Sequence, residues 1–276
     1  MATEDNAGVG MIAGYGVFPL ELIAELNKQH IDVHVVAIRE ECAAEVENLA
    51  ASTTWLQVGQ LKAMIQAFHS KAITQVIMAG KVQKLHLFRN FKPDFLAVKT
   101  LLSLPDKRDD TIMIAITALL EKEGIEVISQ LAHAGEMLAT VGHIAGPKLS
   151  KAQLQDAHFG FPQAKAIAGF DIGQTIVVKE GAMLAVEAIE GTDAAIERGG
   201  DLGHGRSMVV KVAKPKQDLR FDVPAIGPDT LQVMHQHGCT VLIVEANLTL
   251  ILDRVRTFAL AKSYGITLYG YTDAIK

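Results

Sequence analysis

Short apolar runs alternate with amphipathic stretches along the first half of the chain. The runs at residues 9–13, 33–38 and 76–79 have the length and β-branched content of buried strands. Apolar side chains with helical spacing lie between and after them, at residues 19–27, 59–70 and 111–123. A further short strand is predicted from residue 127. Strand and helix in alternation predict a parallel sheet with crossover helices, which is a Rossmann-like arrangement.

The pattern changes at a group of turn residues, Thr140, Gly142, Gly146 and Pro147. We therefore predict two domains, at residues 1–142 and 143–276. Beyond the boundary, helices are expected at residues 153–168, 230–236 and 253–264, and strands at 175–179, 183–189, 208–213, 240–244 and 266–269. Glu180-Gly181 predicts a hairpin between the first two of these strands. The expected fold class is α/β, with an N-terminal Rossmann-like parallel sheet domain and a C-terminal mixed α/β domain.

The composition is typical of folded domains, and it argues against several classes of partner and site. The 276 residues carry a formal net charge of -5 and are 49% hydrophobic, so a sizeable core is available. Lys and Arg form no long run, which argues against a nucleic-acid partner. Two cysteines without a Cys-x-x-Cys pair give neither a disulfide framework nor zinc-ligand spacing. We expect a cytoplasmic protein, because no secretory signal and no apolar window of about 18 residues is present.

A glycine motif, Gly14-Tyr15-Gly16, follows the first predicted strand and opens the first predicted helix. Glycines there allow a tight turn and a close approach of the backbone to a phosphate at the helix N-terminus. The dinucleotide fingerprint requires a third glycine where Pro19 stands. The motif fits a phosphate or nucleotide cradle and a plain tight turn equally.

Two further candidates in the first half are single charged residues. Lys81 follows the strand at 76–79, where ligands bind in open α/β sheets, and it is a candidate contact for a phosphate or uridine. A solvated lysine is the alternative. Asp110 belongs to an acidic group with Asp106 and Asp109 ahead of a helix. Asp109 or Asp110 is expected to cap that helix, and Asp110 is a candidate substrate contact.

Oxygen-bearing side chains follow the strand predicted at 183–189. Glu190, Thr192 and Asp193 supply two carboxylates and a hydroxyl, which are ligand types suited to Mg²⁺. The alternative is a helix cap, in which Thr192 or Asp193 begins a helix at residues 194–198. Because the two roles are compatible, Glu190 and Asp193 are candidate metal ligands and Thr192 is a candidate substrate contact.

The densest polar run, residues 214–224, is called here the polar loop. It mixes basic, acidic and amide side chains between an apolar strand and a helix, and two prolines stiffen it. Lys and Arg in such a loop can hold a phosphate while an aspartate handles a metal or water. An ordinary charged loop is the alternative. The candidate residues are Lys214, Gln217, Asp218, Arg220 and Asp222.

Three motifs resemble the LpxI family, the UDP-2,3-diacylglucosamine pyrophosphatases of lipid A synthesis. The first motif is residues 12–21, the second combines 171–174 with 184–193, and the third is residues 211–230. The second and third are specific, and the resemblance runs nearly from end to end of the chain. Gln174 lies in the second motif and joins the candidate substrate contacts.

The resemblance implies a reaction and a cofactor. Water attacks the α-phosphorus of UDP-2,3-diacylglucosamine and releases UMP and 2,3-diacylglucosamine 1-phosphate (lipid X). A Mg²⁺ requirement, a site between the two domains and a homodimer are also implied. Asp222 matches the residue associated with catalysis in the family. Whether Asp222 binds the metal or accepts a proton from water stays open, so it is a candidate for both roles.

The substrate of this family carries acyl chains that reside in a bilayer. We therefore expect peripheral contact with the cytoplasmic face of the inner membrane through a local patch. Residues 85–92 are the candidate, because Phe88 and Phe91 stand there beside Arg89 and Lys92. A role of these aromatic residues in the core or in a domain contact is the alternative.

Two other classes of function compete with hydrolysis. A Rossmann-type NAD-dependent oxidoreductase would account for the first half of the chain, although Pro19 breaks the fingerprint. A non-catalytic carrier of a nucleotide-lipid would have the same cleft without turnover.

Overall fold

A computed structural model describes residues 8–82, 92–106 and 108–273. The chain forms two compact units. Unit 1 comprises Met1–Ala134 and Leu219–Phe221, and unit 2 comprises Gly135–Asp218 and Asp222–Lys276. The polar loop is therefore divided, because its central residues belong to unit 1 while its two ends belong to unit 2.

Unit 1 is built on a parallel sheet with the strand order β3-β2-β1-β4-β5. Its strands are β1 (Val9–Ala13), β2 (Val33–Ile38), β3 (Ser52–Leu56), β4 (Gln75–Ala79) and β5 (Glu126–Val127). Its described helices are α1 (Phe18–Lys28), α2 (Leu61–His69), α3 (Phe95–Leu102) and α4 (Asp109–Lys122), with a 3₁₀ turn at Ala44–Asn48. This is the doubly wound order in which the direction of winding reverses between β1 and β4.

The period of the apolar residues explains the core of unit 1. On α2, Met64, Ile65 and Phe68 fall on one face and are buried. They pack with Val76 and Met78 of β4 in one apolar cluster. Adjacent parallel strands are buried on both faces, so their sequences are continuously apolar rather than alternating.

Unit 2 contains a mixed six-stranded sheet with the order β6-β13-β11-β9-β7-β8. The strands are β6 (Gly142–Ala145), β7 (Thr175–Lys179), β8 (Ala182–Val186), β9 (Ser207–Lys211), β11 (Cys239–Glu245) and β13 (Thr267–Tyr271). A separate parallel pair joins β10 (Ala225–Ile226) to β12 (Leu250–Ile251). The helices are α5 (Lys151–Gly169), α6 (Thr192–Gly203), α7 (Pro228–Gln236) and α8 (Arg254–Tyr264), with a 3₁₀ turn at Gly135–Met137.

Each face of the six-stranded sheet has its own core, because strand side chains alternate between faces. Ile176 and Val178 of β7 face α5 and pack in one cluster with Phe161. Val177, between them in sequence, belongs to the opposite cluster with Ile196 of α6. Strands β9, β11 and β13 are parallel, whereas β6, β7 and β8 each run antiparallel to a neighbour.

The sequence-based fold prediction is confirmed, with a parallel-sheet N-terminal part and a mixed-sheet C-terminal part. The predicted hairpin is present as the antiparallel pair β7–β8. Strand β6 lies in the sheet of unit 2, and the units divide between residues 134 and 135, ahead of the predicted boundary. None of the described helices has the length and apolar character needed to cross a membrane.

Candidate functional site

Several loops lie at one end of the six-stranded sheet in unit 2. Thr175, at the start of β7, pairs with Lys211 at the end of β9, and Ile176 pairs with Val186 at the end of β8. The loops before β7, after β8 and after β9 therefore leave the sheet at the same end. Strand β11 also ends there, because Val244 pairs with Lys211. Most of the predicted C-terminal site residues lie on these loops.

A buried polar network lies at this end of the sheet. Glu187 and Lys211 are each only 8% exposed. The Thr192 hydroxyl donates to Glu187 Oε1 at 2.8 Å, and Lys211 Nζ donates to Thr192 Oγ1 at 3.3 Å. Thr175 Oγ1 lies 3.4 Å from the same Thr192 oxygen. Thr192 thus connects a buried acid and a buried base, and we call these three residues the Glu187–Thr192–Lys211 network.

Three more predicted residues join this network. The Gln174 N–H donates to Glu187 Oε2 at 3.3 Å, and Gln217 Nε2 approaches Gln174 Oε1 within 3.5 Å. The Lys214 N–H in turn donates to Gln217 Oε1 at 2.8 Å. Gln174, Thr192, Lys214 and Gln217, which are far apart in sequence, therefore form one connected polar group.

The two aspartates of the polar loop stand one turn apart. The Asp222 N–H donates to the Asp218 carbonyl at 2.9 Å, which closes the turn. Both residues are half-buried. Both belong to unit 2, and they flank residues 219–221, which belong to unit 1.

Arg220 belongs to unit 1 together with Leu219 and Phe221, whereas the two ends of the polar loop belong to unit 2. Its Nη1 forms an ion pair with Glu121 Oε1 at 2.8 Å. The preceding carbonyl, of Leu219, accepts from the Gln130 N–H at 2.8 Å, and Phe221 packs against the unit 1 core. The guanidinium is thus engaged by a helix α4 carboxylate of its own unit.

Glu190 and Asp193 are exposed and lie at the start of α6. Glu190 Oε1 accepts from Arg198 at 2.6 Å, and Oε2 accepts from the Ala188 N–H at 3.2 Å. The pKa of Glu190 lies below its ordinary value because its own backbone N–H and then Arg198 hydrogen-bond to the carboxylate. The expected cap is wrong: Gly191 occupies the N-cap without a side-chain bond, and the Thr192 hydroxyl is used by Glu187.

In unit 1 the glycine motif and Lys81 meet where β1 and β4 end. The Tyr15 N–H donates to the Lys81 carbonyl at 2.6 Å, and the Lys81 N–H donates back to Tyr15 at 3.0 Å. A Cβ on Gly14 would lie 2.4 Å from the Lys81 carbonyl oxygen, so this close approach explains the glycine. The amides of Tyr15 and Lys81 are thus bonded to main chain, while both side chains are exposed.

Asp110 lies exposed in the first turn of α4, also in unit 1. The expected cap is wrong here too, since Arg108 is the N-cap residue and has no side-chain cap bond. Asp106 instead accepts from the Thr111 hydroxyl at 2.7 Å and from the Arg108 N–H at 3.0 Å. The role of Asp110 as a substrate contact stays a prediction.

Comparison with known proteins identifies the family. The sequence model of the LpxI N-terminal domain matches residues 8–137, and that of the LpxI C-terminal domain matches residues 140–269. The chain belongs to the LpxI family. A relative named UDP-2,3-diacylglucosamine pyrophosphatase LpxI, from Caulobacter vibrioides, is 30% identical over 95% of this chain and 96% of its own length. Membership of LpxI leaves the oxidoreductase alternative without support.

Two solved structures show distant likenesses to the chain. The biotin carboxylase domain of 2-oxoglutarate carboxylase from Hydrogenobacter thermophilus matches 63% of this chain and 35% of its own, with a TM-score of 0.27 and 14% identity. A UDP-glucose-4-epimerase from Stenotrophomonas maltophila matches 43% of this chain and 34% of its own, with a TM-score of 0.28 and 15% identity. Likenesses at this level carry no argument about this LpxI chain.

The candidate list from the sequence lacks two residues of the buried network, Glu187 and Lys211. Lys211 stands within the otherwise apolar run 208–213, and Glu187 stands in the apolar run that follows Leu184. A charged residue at a buried strand position requires partners, because its desolvation is costly. A charged residue within an apolar run was therefore a signal for both residues in the sequence of this LpxI C-terminal domain.

We expect Thr192→Val to lower the free energy of unfolding by about 1–2 kcal/mol, because Glu187 and Lys211 would each lose a buried hydrogen-bond partner. Urea denaturation followed by circular dichroism measures this change. Thr249→Val is the matched control: the Thr249 hydroxyl is buried without a hydrogen-bond partner among the described residues, so its loss should be neutral or stabilising. Equal destabilisation by both variants would contradict the network.

The two cysteines are free and take no part in the site. Burial and then Asp201 raise the pKa of Cys239 to about 12, and burial and then Glu45 raise that of Cys42 to about 11. Both thiols therefore stay protonated at neutral pH, which makes them poor nucleophiles and poor metal ligands.

Proposed function

We propose that this chain hydrolyses UDP-2,3-diacylglucosamine in lipid A biosynthesis, releasing UMP and 2,3-diacylglucosamine 1-phosphate. The observation that carries the proposal is the polar end of the unit 2 sheet, where the Glu187–Thr192–Lys211 network meets the polar loop. A water oxygen would bond to the α-phosphorus while the bond from that phosphorus to the bridging oxygen breaks. The β-phosphate then leaves on the sugar.

Positive groups at this end of the sheet suit a diphosphate. Lys211 Nζ reaches Thr192, the first residue of α6, and Lys214 Nζ pairs with Asp171 Oδ1 at 2.5 Å. The N-terminus of α6 begins at Gly191 without a side-chain cap, so its first N–H groups and the helix dipole favour an anion. Offsetting the charge of the diphosphate lowers the repulsion that a water oxygen meets as it approaches phosphorus.

Asp222 is proposed as the catalytic residue. Its carboxylate would accept a proton from the attacking water, which needs hydrogen-bond reach of that water. The hydrogen bond from the Asp222 N–H to Asp218 fixes the backbone from which the carboxylate projects. Gln217 of the same loop and Gln174 beside it offer amide donors and acceptors, suited to orienting the sugar or phosphate oxygens.

The donor chemistry of the polar loop fits Mg²⁺. This ion usually takes one or two carboxylates and keeps waters and substrate phosphates as its other ligands. Asp218 and Asp222, one turn apart and half-buried, are the two carboxylates that the polar loop offers for that demand. Glu190 matches this demand less well, because its carboxylate is paired with Arg198. Asp193 also matches it less well, because it lies in the first turn of α6, at the positive end of the helix. When bound, the ion would polarise the phosphoryl oxygens and lower the pKa of a bound water.

We expect chelation to abolish hydrolysis and added Mg²⁺ to restore it. Asp218→Asn should raise the Mg²⁺ concentration needed for half-maximal rate by about tenfold, because a carboxylate is replaced by a neutral amide. Asp193→Asn serves as the comparison at the other candidate position. Rates are measured over a magnesium titration after removal of the chelator. Full activity in excess chelator would end the magnesium proposal.

The proposed reaction itself is tested by incubating the purified chain with UDP-2,3-diacylglucosamine and Mg²⁺ and resolving UMP and lipid X by chromatography. Formation of both products in equal amounts is the expected result. Retention of the intact substrate on the protein without products would instead favour the carrier alternative. Hydrolysis in ¹⁸O-labelled water distinguishes the bond that breaks, because attack on the α-phosphorus puts the label in UMP.

We also propose that the chain works as a homodimer in peripheral contact with the cytoplasmic face of the inner membrane. The acyl chains of the proposed substrate support this location, since a lipid of that kind resides in a bilayer. The earlier candidate segment, residues 85–92, lies outside the described residues except for Lys92, which is exposed. Light scattering after size exclusion tests the dimer.

Vesicle sedimentation tests the membrane contact. We expect the wild type to sediment with anionic phospholipid vesicles and Phe88→Ser, Phe91→Ser to sediment less, because burial of two aromatic side chains in lipid is lost. A Phe170→Ser variant provides a control, since Phe170 is an exposed aromatic residue elsewhere on the chain. Equal sedimentation of wild type and double variant would remove the segment as the contact.

A further inference from the structure

An ion pair holds the residue that directly precedes the polar loop. Lys165 lies on α5, and Glu245 is the last residue of β11. Lys165 Nζ lies 3.0 Å from both carboxylate oxygens of Glu245. The side chains are 23% and 12% exposed, so the pair is largely removed from water.

Both main-chain groups of one residue, Ala213, bind to this pair. Glu245 Oε2 accepts from the Ala213 N–H at 2.8 Å, and Lys165 Nζ donates to the Ala213 carbonyl at 2.9 Å. Ala213 is itself buried and directly precedes Lys214, the first residue of the polar loop. The four contacts therefore fix the peptide planes on either side of Ala213.

The fixed residue is connected to the proposed site through successive hydrogen bonds. The Lys214 N–H, next in sequence, donates to Gln217 Oε1, and Gln217 reaches Gln174. The same loop then makes the turn between Asp218 and Asp222. A rotation of the peptide at Ala213 would thus be passed to every candidate residue that follows it in unit 2.

Stability alone accounts poorly for such a pair. Largely buried ion pairs contribute little net stability, and apolar replacements of similar volume are often equally stable or more so. Among the described residues, the hydrogen bonds that this pair makes outside itself go to Ala213, just before the polar loop. Orientation of that loop is the property they determine.

We propose that Lys165 and Glu245 are positioning residues that set the direction in which the polar loop leaves β9, and that their loss lowers kcat rather than substrate affinity. The inference rests on the proposed function for its kinetic part. Misplacement of a reacting group by about an ångström can cost about 100-fold in rate, while contacts elsewhere still bind the substrate. Neither residue touches substrate in this proposal, since both act through Ala213.

The test uses the Lys165→Met, Glu245→Met double variant, which leaves no buried charge without its partner. We expect it to remain folded, with kcat lowered about 10- to 100-fold and KM within about twofold of the wild type. Lys165→Arg keeps the charge and the hydrogen-bond donors, so its kcat should lie between that of the double variant and that of the wild type. The single Lys165→Met variant leaves Glu245 unpaired, so its stability is measured separately.

Lys179→Met is the matched control. Lys179 Nζ also donates to two main-chain carbonyls, those of Gly203 and Gly205, but at the opposite end of β7. Its replacement should change melting temperature without changing kcat. A kcat in the double variant within twofold of wild type, or an equal loss of kcat in Lys179→Met, would overturn the proposal.

Amide hydrogen exchange separates this inference from the proposed reaction. Exchange in residues 213–222 should accelerate in the double variant and not in Lys179→Met, whatever substrate the protein uses. If the wild type fails to release UMP but this exchange difference is present, the proposed function fails and the positioning role stands. Unchanged exchange in these residues refutes the positioning role even if UMP is formed.

Discussion

Replacing Asp222 by asparagine is expected to lower turnover of UDP-2,3-diacylglucosamine by about 100-fold or more while leaving the protein folded. Asparagine has nearly the same shape but cannot accept a proton from water or carry the negative charge that a metal ion requires, and loss of such a group typically costs two or more powers of ten. Initial rates of UMP release measure the effect. Substrate binding, measured by equilibrium dialysis with the same variant, should persist.

Asp229→Asn is the matched control for this prediction. Asp229 is an exposed aspartate in the first turn of α7, a few residues further along the same unit. Its replacement removes the same charge from unit 2 and should leave turnover near that of the wild type. A folded Asp222→Asn protein with wild-type turnover would remove Asp222 from the reacting centre, whatever the control shows.

Gly270→Ala is expected to lower the free energy of unfolding strongly. Gly270 lies in β13, and a Cβ built there would stand 1.9 Å from the main-chain oxygen of Thr140. Backbone on both sides would have to shift, and overpacking of this kind costs about 3 kcal/mol at the upper end of its usual range. We expect a clear fall in the urea midpoint without a change in the m-value.

Gly169→Ala provides the comparison. Gly169 ends α5, and its added Cβ would meet only Pro215 Cγ at 3.9 Å, which is ordinary contact. Alanine favours the helix over glycine, so the protein should be as stable as the wild type or slightly more so. If Gly270→Ala destabilises the protein no more than Gly169→Ala does, the β6–β13 region rearranges at little cost in free energy.

The elements with clear periodicity were predictable from sequence, and those that depend on packing were not. Strand β3 carries Ser52, Thr53 and Thr54, so it lacks the apolar run that marks a buried strand. Helix α6 contains Gly199, Gly200 and Gly203, and glycine has a low intrinsic helix propensity. Tertiary structure requires them: a Cβ on Gly199 would lie 2.4 Å from the Cβ of Val177, so the glycine permits α6 to approach β7.

The candidate site was predictable as a set of residue types but not as an arrangement. Gln174, Thr192 and Gln217 become neighbours because β7 runs antiparallel to both β8 and β9, and strand order is not encoded in local periodicity. The role of Arg220 was equally hidden, since its loop position gives no sign that Glu121 pairs with it. Side chains whose partners lie across the fold cannot be assigned from the chain alone.

Residues 219–221 belong to unit 1 although residues 135–218, which are translated before them, belong to unit 2. Domains generally fold as units while the ribosome extends the chain, the N-terminal domain first. Here unit 1 receives the Phe221 side chain only after β6 to β9 of unit 2 have been translated. Its core is therefore completed out of chain order, and a nascent chain arrested at residue 134 holds unit 1 without its last segment. Two separately translated halves divided at that point would carry residues 219–221 on the half that folds as unit 2.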